Sequence, residues 1–145
     1  MQILFDHQLI TVWYHERLEI IHHQIHATIQ REACGVFVDA LETGARALNE
    51  RRITKWLSDD RNQRCLPADL QEWARESWFP RARKAGWQSW AVVHPLDAPQ
   101  YLHLARLTST FAHMGVKTRF FADLGPAMDW LVHSPVARND RSAVG

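Results

Sequence analysis

The side chains in this chain that could do chemistry are mostly acids, arginines and histidines that directly follow strand-like segments. The first such segment is followed by Asp59, Asp60 and Arg61, the second by His94, and the third by Asp123. A histidine titrates near neutral pH and a carboxylate can orient it or exchange a proton with it. Asp60 and His94 could therefore form a general acid–base pair.

Simpler roles exist for the same residues. Asp123 stands where an aspartate commonly caps the following helix. Arg61 and Arg64 can pair with the neighbouring aspartates in solvent, a contribution of roughly 0–1 kcal/mol. Cys65 precedes a helix start, where its thiol could be activated, but no base stands beside it in the sequence, which favours an inert cysteine.

The nine histidines form no recognisable metal or catalytic motif. His22, His23 and His26 occur as His-His-Gln-Ile-His, and neighbouring residues of a strand point to opposite faces of a sheet. A zinc site there would need a sharp bend, and HExxH is absent. The phosphate-binding glycine motifs and GxSxG are absent as well. We therefore predict no metal and no cofactor.

The seven tryptophans include two that could contact a ligand. Trp78 precedes Phe79-Pro80 at a predicted helix break, and Trp87 begins a predicted strand. Aromatic residues at such positions could line a pocket for a small apolar ligand or bury a dimer interface. Packing in the core is the simpler alternative.

Composition narrows the classes of function. The chain has 145 residues, of which 46% are hydrophobic, and a net charge of +1. Length favours one domain, and the balanced charge argues against non-specific nucleic-acid binding. No apolar run could span a bilayer, and the first eight residues show no secretory signal, so we expect a cytoplasmic protein without membrane insertion. Residues 1–45 hold two Lys or Arg against six acids, whereas residues 46–84 hold ten against six. This asymmetry favours self-association or a protein partner over nucleic acid.

Residue periodicity predicts an α/β fold with the order βββαβαβαβα. Antiparallel strands begin the chain and extend a partly parallel sheet, which four helices cover. We predict a single domain over 1–134 and a disordered tail over 135–145. The predicted elements are strands at 3–5, 9–14 and 18–22, a helix at 31–51, a strand at 53–57, a helix at 67–86 interrupted at Pro80, a strand at 87–93, a helix at 98–114 with Asp97 as its N-cap, a strand at 116–121 and a helix from Asp123.

Ligands of open α/β sheets favour the edge at which the parallel strands end. If the later strands are parallel, that edge collects most of the polar candidates. We therefore predict that a ligand contacts Asp59, Asp60, Arg61, Arg64, Trp78, Trp87 and His94.

Several motifs in the middle of the chain occur together in one family. They are the strand end Lys55-Trp56-Leu57-Ser58-Asp59-Asp60-Arg61, the helix Asp69-Leu70-Gln71-Glu72-Trp73, the break Trp78-Phe79-Pro80-Arg81, and the strand end Val92-Val93-His94-Pro95. In these motifs the chain resembles the STAS/SEC14-like (SpoIIAA-like) small bacterial domains. The resemblance implies a β-sheet flanked by helices, no enzymatic activity, and a binding or regulatory role in the cytoplasm.

One departure from that family concerns regulation. The STAS switch carries a phosphorylatable serine in an Asp-x-Ser-Gly-like turn at a helix N-terminus, where a phosphate gains from the helix-end amides. The corresponding turn here reads Ser58-Asp59-Asp60-Arg61. We therefore do not assign a phosphorylation site to Ser58.

Together these observations favour a non-enzymatic regulatory domain. We expect it to bind a partner protein or a small apolar ligand, and to form a homodimer. One alternative is a small enzyme that uses Asp60 and His94. Another is a lipid-binding module, as the SEC14 side of the resemblance implies.

Overall fold

The computed structural model describes residues 1–63, 66–95 and 109–137, which form one six-stranded mixed sheet with its strands in chain order. The first two pairings are antiparallel and the remaining three are parallel. The predicted α/β class and the change from antiparallel to parallel strands are confirmed. The strands are β1 (Gln2–Asp6), β2 (Ile10–His15), β3 (Ile20–Ile25), β4 (Lys55–Asp59), β5 (Ser89–Val93) and β6 (Lys117–Phe121).

Helical segments connect the parallel strands, as the parallel arrangement requires. A short helical stretch at 109–113 precedes β6, and a π-helical turn, Ala74–Trp78, joins the second and third helices. The helices are α1 (Cys34–Arg51), α2 (Ala68–Trp73), α3 (Phe79–Lys84) and α4 (Leu124–His133).

Side chains alternate along each strand, so the sheet has two faces, and each of them contributes to a core. On the face that we call the α1 face, Trp56 and Ile21 join the larger core beneath α1 and α3. On the opposite face, the α4 face, Leu57 and Ile20 pack with Leu131 of α4 in a smaller core. The ammonium group of Lys55 donates to the Val132 carbonyl at 3.2 Å, which ties the C-terminal end of α4 to the sheet.

A glycine in the middle of α1 lets the sheet approach the helix closely. Gly44 is buried, and a Cβ atom at this position would lie 2.7 Å from Cζ3 of Trp56 and still closer to Cη2. An alanine would therefore overlap the indole ring. The ring of Trp56 fills the space that the missing side chain leaves between α1 and β4.

The predicted interruption near Pro80 is confirmed in position. Pro80 is the second residue of α3, directly after a π-helical turn. The π-helical turn immediately before it widens the helix. Trp78, the last residue of that turn, donates from Nε1 to the Leu41 carbonyl of α1 at 2.9 Å.

Strand β4 ends later than predicted. The sequence suggested a polar loop from Ser58, but Ser58 and Asp59 belong to the strand and are 1% and 2% exposed. An aspartate can occupy this buried position because Arg61 pairs with its carboxylate. Strand propensity does not take such a partner into account.

Two glycines follow the ends of helical segments. Gly86 and Gly115 have φ angles of +117° and +90°, a conformation that favours glycine. Asp123 occupies the predicted N-cap position of α4, but its side chain makes no capping hydrogen bond. The predicted N-cap Asp97, most of the helix predicted at 98–114, and Arg64 and Cys65 lie outside the described residues.

Candidate functional site

The parallel strands bring the polar segments that follow them to one edge of the sheet, which we call the carboxyl edge. The backbone N–H of Asp60 donates to the Val93 carbonyl, and that of His94 donates to Phe121, each at 2.9 Å. Asp123 follows two residues after Phe121 and contributes to the raised pKa of Arg61, after the larger effects of Asp59. Apart from Trp78 and Trp87, the predicted site residues that the structure describes therefore lie at this edge.

Asp59 is neutralised within the edge. Nε and Nη2 of Arg61 donate to its two carboxylate oxygens at 2.9 and 2.8 Å, while the Asp59 side chain is only 3% exposed. Burial alone would raise the pKa of Asp59, but the hydrogen bonds from the Arg61 side chain and backbone outweigh it and lower this pKa. This bidentate pair holds the turn after β4.

Asp60 belongs to a different network on the α1 face. Nε1 of Trp56 donates to Nδ1 of His23 at 3.0 Å, and Nε2 of His23 lies 2.7 Å from Oδ1 of Asp60. The indole N–H can only donate, so Nδ1 of His23 is an acceptor and Nε2 carries the proton given to Asp60. Trp56, His23 and Asp60 form a chain of donors that ends on the carboxylate.

This chain leaves His23 no nitrogen with which to accept a substrate proton. His23 is 5% exposed and both ring nitrogens are hydrogen-bonded. His94 is oriented separately, because its Nδ1 lies 2.9 Å from the Pro95 carbonyl. Among the described residues no hydrogen bond joins Asp60 to His94. The two residues of the predicted acid–base pair thus lie at the same edge but are held by different partners.

The neighbouring histidine, His22, faces the α4 side of the sheet, as strand alternation predicts. Its Nδ1 lies 3.0 Å from Nε2 of His15, and its ring packs against Trp13 at a centroid distance of 5.1 Å. Its Nε2 is buried and lacks a hydrogen-bond partner within the described residues. Burial, reinforced by the charges of His15 and His23, lowers the pKa of His22 to about 3.

The described residues contain no group of three or more histidine, cysteine or acidic side chains placed to bind a metal ion. Cys34 is half-buried at the start of α1, against the edge of the larger core.

Trp78 and Trp87 lie in the larger core. They are 5% and 0% exposed, and their rings meet each other at 5.2 Å between centroids. Nε1 of Trp87 donates to the Ser89 carbonyl at 3.1 Å, and that of Trp78 donates to Leu41 as described above. Both indoles therefore satisfy their only polar group inside the protein. The prediction that they also contact a ligand stays a prediction.

The chain was compared with protein-family models, curated proteins and solved structures. None of them matches. The resemblance to STAS/SEC14-like domains thus stays a prediction, and function must be argued from this chain's own geometry. No helix in the described ranges is long and apolar enough to cross a membrane.

Sequence reasoning did not find the hydrogen-bonded chain of Trp56, His23 and Asp60. These residues are separated by 33 and 37 positions along the chain. The alternation rule does put His23 on the face opposite His22, but only the pairing of β3 with β4 makes Trp56 and Asp60 its neighbours. No spacing within the sequence carries that information.

Proposed function

We propose that this chain is a non-enzymatic binding domain that acts through a partner protein in a regulatory role. The observation that carries this proposal is the internal pairing at the carboxyl edge. Asp59 is held by Arg61, and Asp60 by His23, whose second nitrogen is occupied by Trp56. A catalytic base needs a lone pair directed at its substrate, and both nitrogens of His23, the histidine bonded to Asp60, are occupied within the protein.

A protein partner fits the surface better than a small apolar ligand. An apolar pocket would be lined by Trp78 and Trp87, but both side chains are buried and packed within the larger core. Two open grooves lie along β6, and both have Lys117 and Pro135 among their lining residues. Open surfaces of mixed polarity are typical of protein–protein contacts rather than of pockets that enclose an apolar ligand.

Purification from the cells that make the protein, followed by light scattering and native mass spectrometry, tests this proposal. We expect the chain to elute with a second polypeptide in a fixed ratio. The variants Asp60→Asn and His94→Gln should retain that ratio, because neither residue lines the grooves along β6.

Two outcomes would replace the proposal. A lipid or other apolar molecule bound in place of a polypeptide would favour the lipid-binding alternative. Turnover of a small molecule that either variant abolishes would favour an enzyme.

A further inference from the structure

Two adjoining grooves beside β6 present charged and apolar side chains to solvent. The first, which we call the basic groove, lies between β6 and α4 and has a volume of about 400 Å³. Its walls include Lys117, Arg119, Phe121, Asp129, Trp130 and His133. The second, which we call the apolar groove, lies at the start of β6 and has a volume of about 430 Å³. Its walls include Ala112, Gly115, Pro135 and Val136. Lys117 and Pro135 line both grooves, so a single segment could contact both of them.

The two cations of the basic groove are accessible from solvent. Lys117 and Arg119 are exposed, and they lie on the same face of β6 because side chains alternate along a strand. Neither of them forms an ion pair with another residue of the described ranges. Their Cα atoms are about 7 Å apart, two residues along a strand. The groove therefore carries two neighbouring positive charges that the described residues do not neutralise.

Aromatic rings hold these cations in place. Nζ of Lys117 lies 5.7 Å from the ring centroid of Trp130, and the guanidinium carbon of Arg119 lies 5.3 Å from that of Phe121. The two rings pack against each other with their centroids 5.9 Å apart. A side chain that is already ordered loses less conformational entropy when it binds. An anion that meets these cations therefore gains more affinity than it would from mobile surface lysines.

Exposed apolar side chains lie next to the cations, at the amino end of the same strand. Val136 of the apolar groove is 50% exposed, and Met114, which precedes Gly115 of that groove, is 37% exposed. Apolar side chains exposed together at a surface mark contact sites for other molecules. Along β6 the surface is therefore first apolar and then twice cationic, at Lys117 and Arg119.

Resting on the proposed function, we propose that the two grooves bind a segment of the partner protein that carries an apolar side chain beside two acidic ones. The carboxylates of that segment pair with Lys117 and Arg119. Its apolar side chain enters the apolar groove beside Val136. These contacts are made by exposed side chains and require no backbone group of β6.

A nucleic acid fits these grooves less well than such a segment. Its backbone carries a charge at every phosphate and offers no apolar side chain to the second groove. The 77% exposed side chain of Asp129 also adds a negative charge to the basic groove, where it lies 3.5 Å from His133. Removal of this charge should strengthen the binding of an acidic segment.

The experiment uses the full chain and a fluorescein-labelled peptide. The peptide carries one leucine and two glutamates at alternate positions, with serine between them, and is tested in both sequence orders by fluorescence anisotropy. We expect Lys117→Ala and Arg119→Ala each to weaken binding by about two- to fivefold, because each removes one exposed ion pair. Asp129→Asn should tighten binding. Lys84→Ala, which removes an exposed cation from α3, should leave it unchanged.

Two altered peptides separate the two grooves. Replacing both glutamates by glutamine should weaken binding to wild type and make it insensitive to Lys117→Ala. Replacing the leucine by serine should also weaken binding, and it should remove the effect of Val136→Ser. Equal binding of the glutamate and glutamine peptides would overturn the proposal, as would tighter binding of a single-stranded oligothymidylate than of either peptide order.

A charge exchange guards against variants that fail to fold. The double variant Lys117→Glu and Arg119→Glu should lose the glutamate peptide and gain the same peptide with lysine in place of glutamate. A folded double variant that binds the glutamate peptide as wild type does would contradict the assignment of the two cations.

Failure of this proposal is distinguishable from failure of the proposed function. If the native partner is captured equally by wild type and by the double variant, the domain binds a protein but not through the basic groove. If no partner polypeptide is found and the peptide does not bind, both proposals are wrong.

Discussion

At the residue scale, Trp56 connects the parts of the protein that matter most for its core. Its ring lies under Gly44 of α1, meets Trp78 at 5.2 Å and Trp87 at 6.1 Å, and its N–H holds His23. A fully buried indole with a satisfied N–H contributes both apolar burial and a hydrogen bond. Substitutions around this residue therefore report on the whole larger core.

Gly44→Ala is the most direct test of that packing. The added methyl group would overlap the Trp56 ring, and we expect a loss of about 1–3 kcal/mol in the free energy of unfolding. Gly35→Ala is the matched control on the same helix, because a Cβ there meets nothing within 4 Å. That control lies in the first turn of α1, outside the helix interior to which the full propensity difference applies, and should change the free energy of unfolding by less than about 0.5 kcal/mol. Urea denaturation measures both, and equal effects would show that Trp56 does not constrain α1.

Asp60 tests the hydrogen-bonded chain. Asp60→Ala would leave the proton on Nε2 of His23 without its acceptor, which we expect to cost about 1–3 kcal/mol. Asp60→Asn keeps an acceptor oxygen at that position and should cost less. The comparison is made by urea denaturation at pH 7. If the two variants were equally stable, the bond to His23 would not be a stabilising one.

The lowered pKa of His22 predicts how the free energy of unfolding depends on pH. Its folded pKa of about 3 lies below the ordinary value of 6.5. Between these two values the unfolded chain binds a proton at this histidine and the folded protein does not. The free energy of unfolding should thus fall as the pH drops below about 6.5, by up to about 1.4 kcal/mol per pH unit for this one group. His15, whose pKa is also lowered, adds to the same trend.

Urea midpoints at pH 7, 6 and 5 measure this effect, and that range lies above the ordinary pKa of the carboxylates. His22→Leu should flatten the dependence, whereas substitution of the exposed His113 by glutamine should not. An unchanged slope in His22→Leu would mean that His22 does not stay neutral in the folded protein.

At the scale of secondary structure, the π-helical turn before Pro80 determines where α2 and α3 attach to α1. Trp78 ends that turn and donates to the Leu41 carbonyl. We expect Trp78→Phe to cost about 1–3 kcal/mol through the lost hydrogen bond and the unfilled volume. Trp73→Phe, at a half-buried position in α2, should cost less. Thermal unfolding compares the two, and the reverse order would show that the turn is not anchored by Trp78.

At the scale of the whole molecule, the charge asymmetry of the sequence is partly cancelled within one protomer. Glu42 from the acidic first third forms a bidentate pair with Arg81 from the basic middle third, with Nη1 of Arg81 at 2.9 Å from Oε2. Because this pairing forms within one chain, the charge asymmetry gives less support to self-association than the sequence alone suggests.

The homodimer stays a prediction that the uncovered part of the sheet makes testable. α4 lies over β4, β5 and β6 and reaches Ile20 of β3, whereas within the described residues no helix covers the same face of β1 and β2. Ile3, which is 56% exposed, pairs there with the half-buried Trp13. We expect a dimer by light scattering that Ile3→Glu disrupts and Leu18→Glu, in the β2–β3 turn, does not. A wild-type monomer at high concentration would contradict it.

Local patterns in the sequence determined much of this fold. Alternation assigned His22 and His23 to opposite faces, periodicity gave α1, and glycine marked the helix ends at Gly86 and Gly115. These features depend on neighbours a few residues away, so their physical causes are present in the sequence itself.

Tertiary structure decided the rest, because its causes are contacts between distant residues. Arg61 allowed β4 to continue through Asp59, and strand pairing brought His23 to Trp56 and Asp60. The packing of α4 against β6 formed a groove from residues that carry no motif. The sequence located the polar segments that follow the strands. Only the pairing of strands far apart in the chain determines which of these side chains bond to one another and which remain open to a partner.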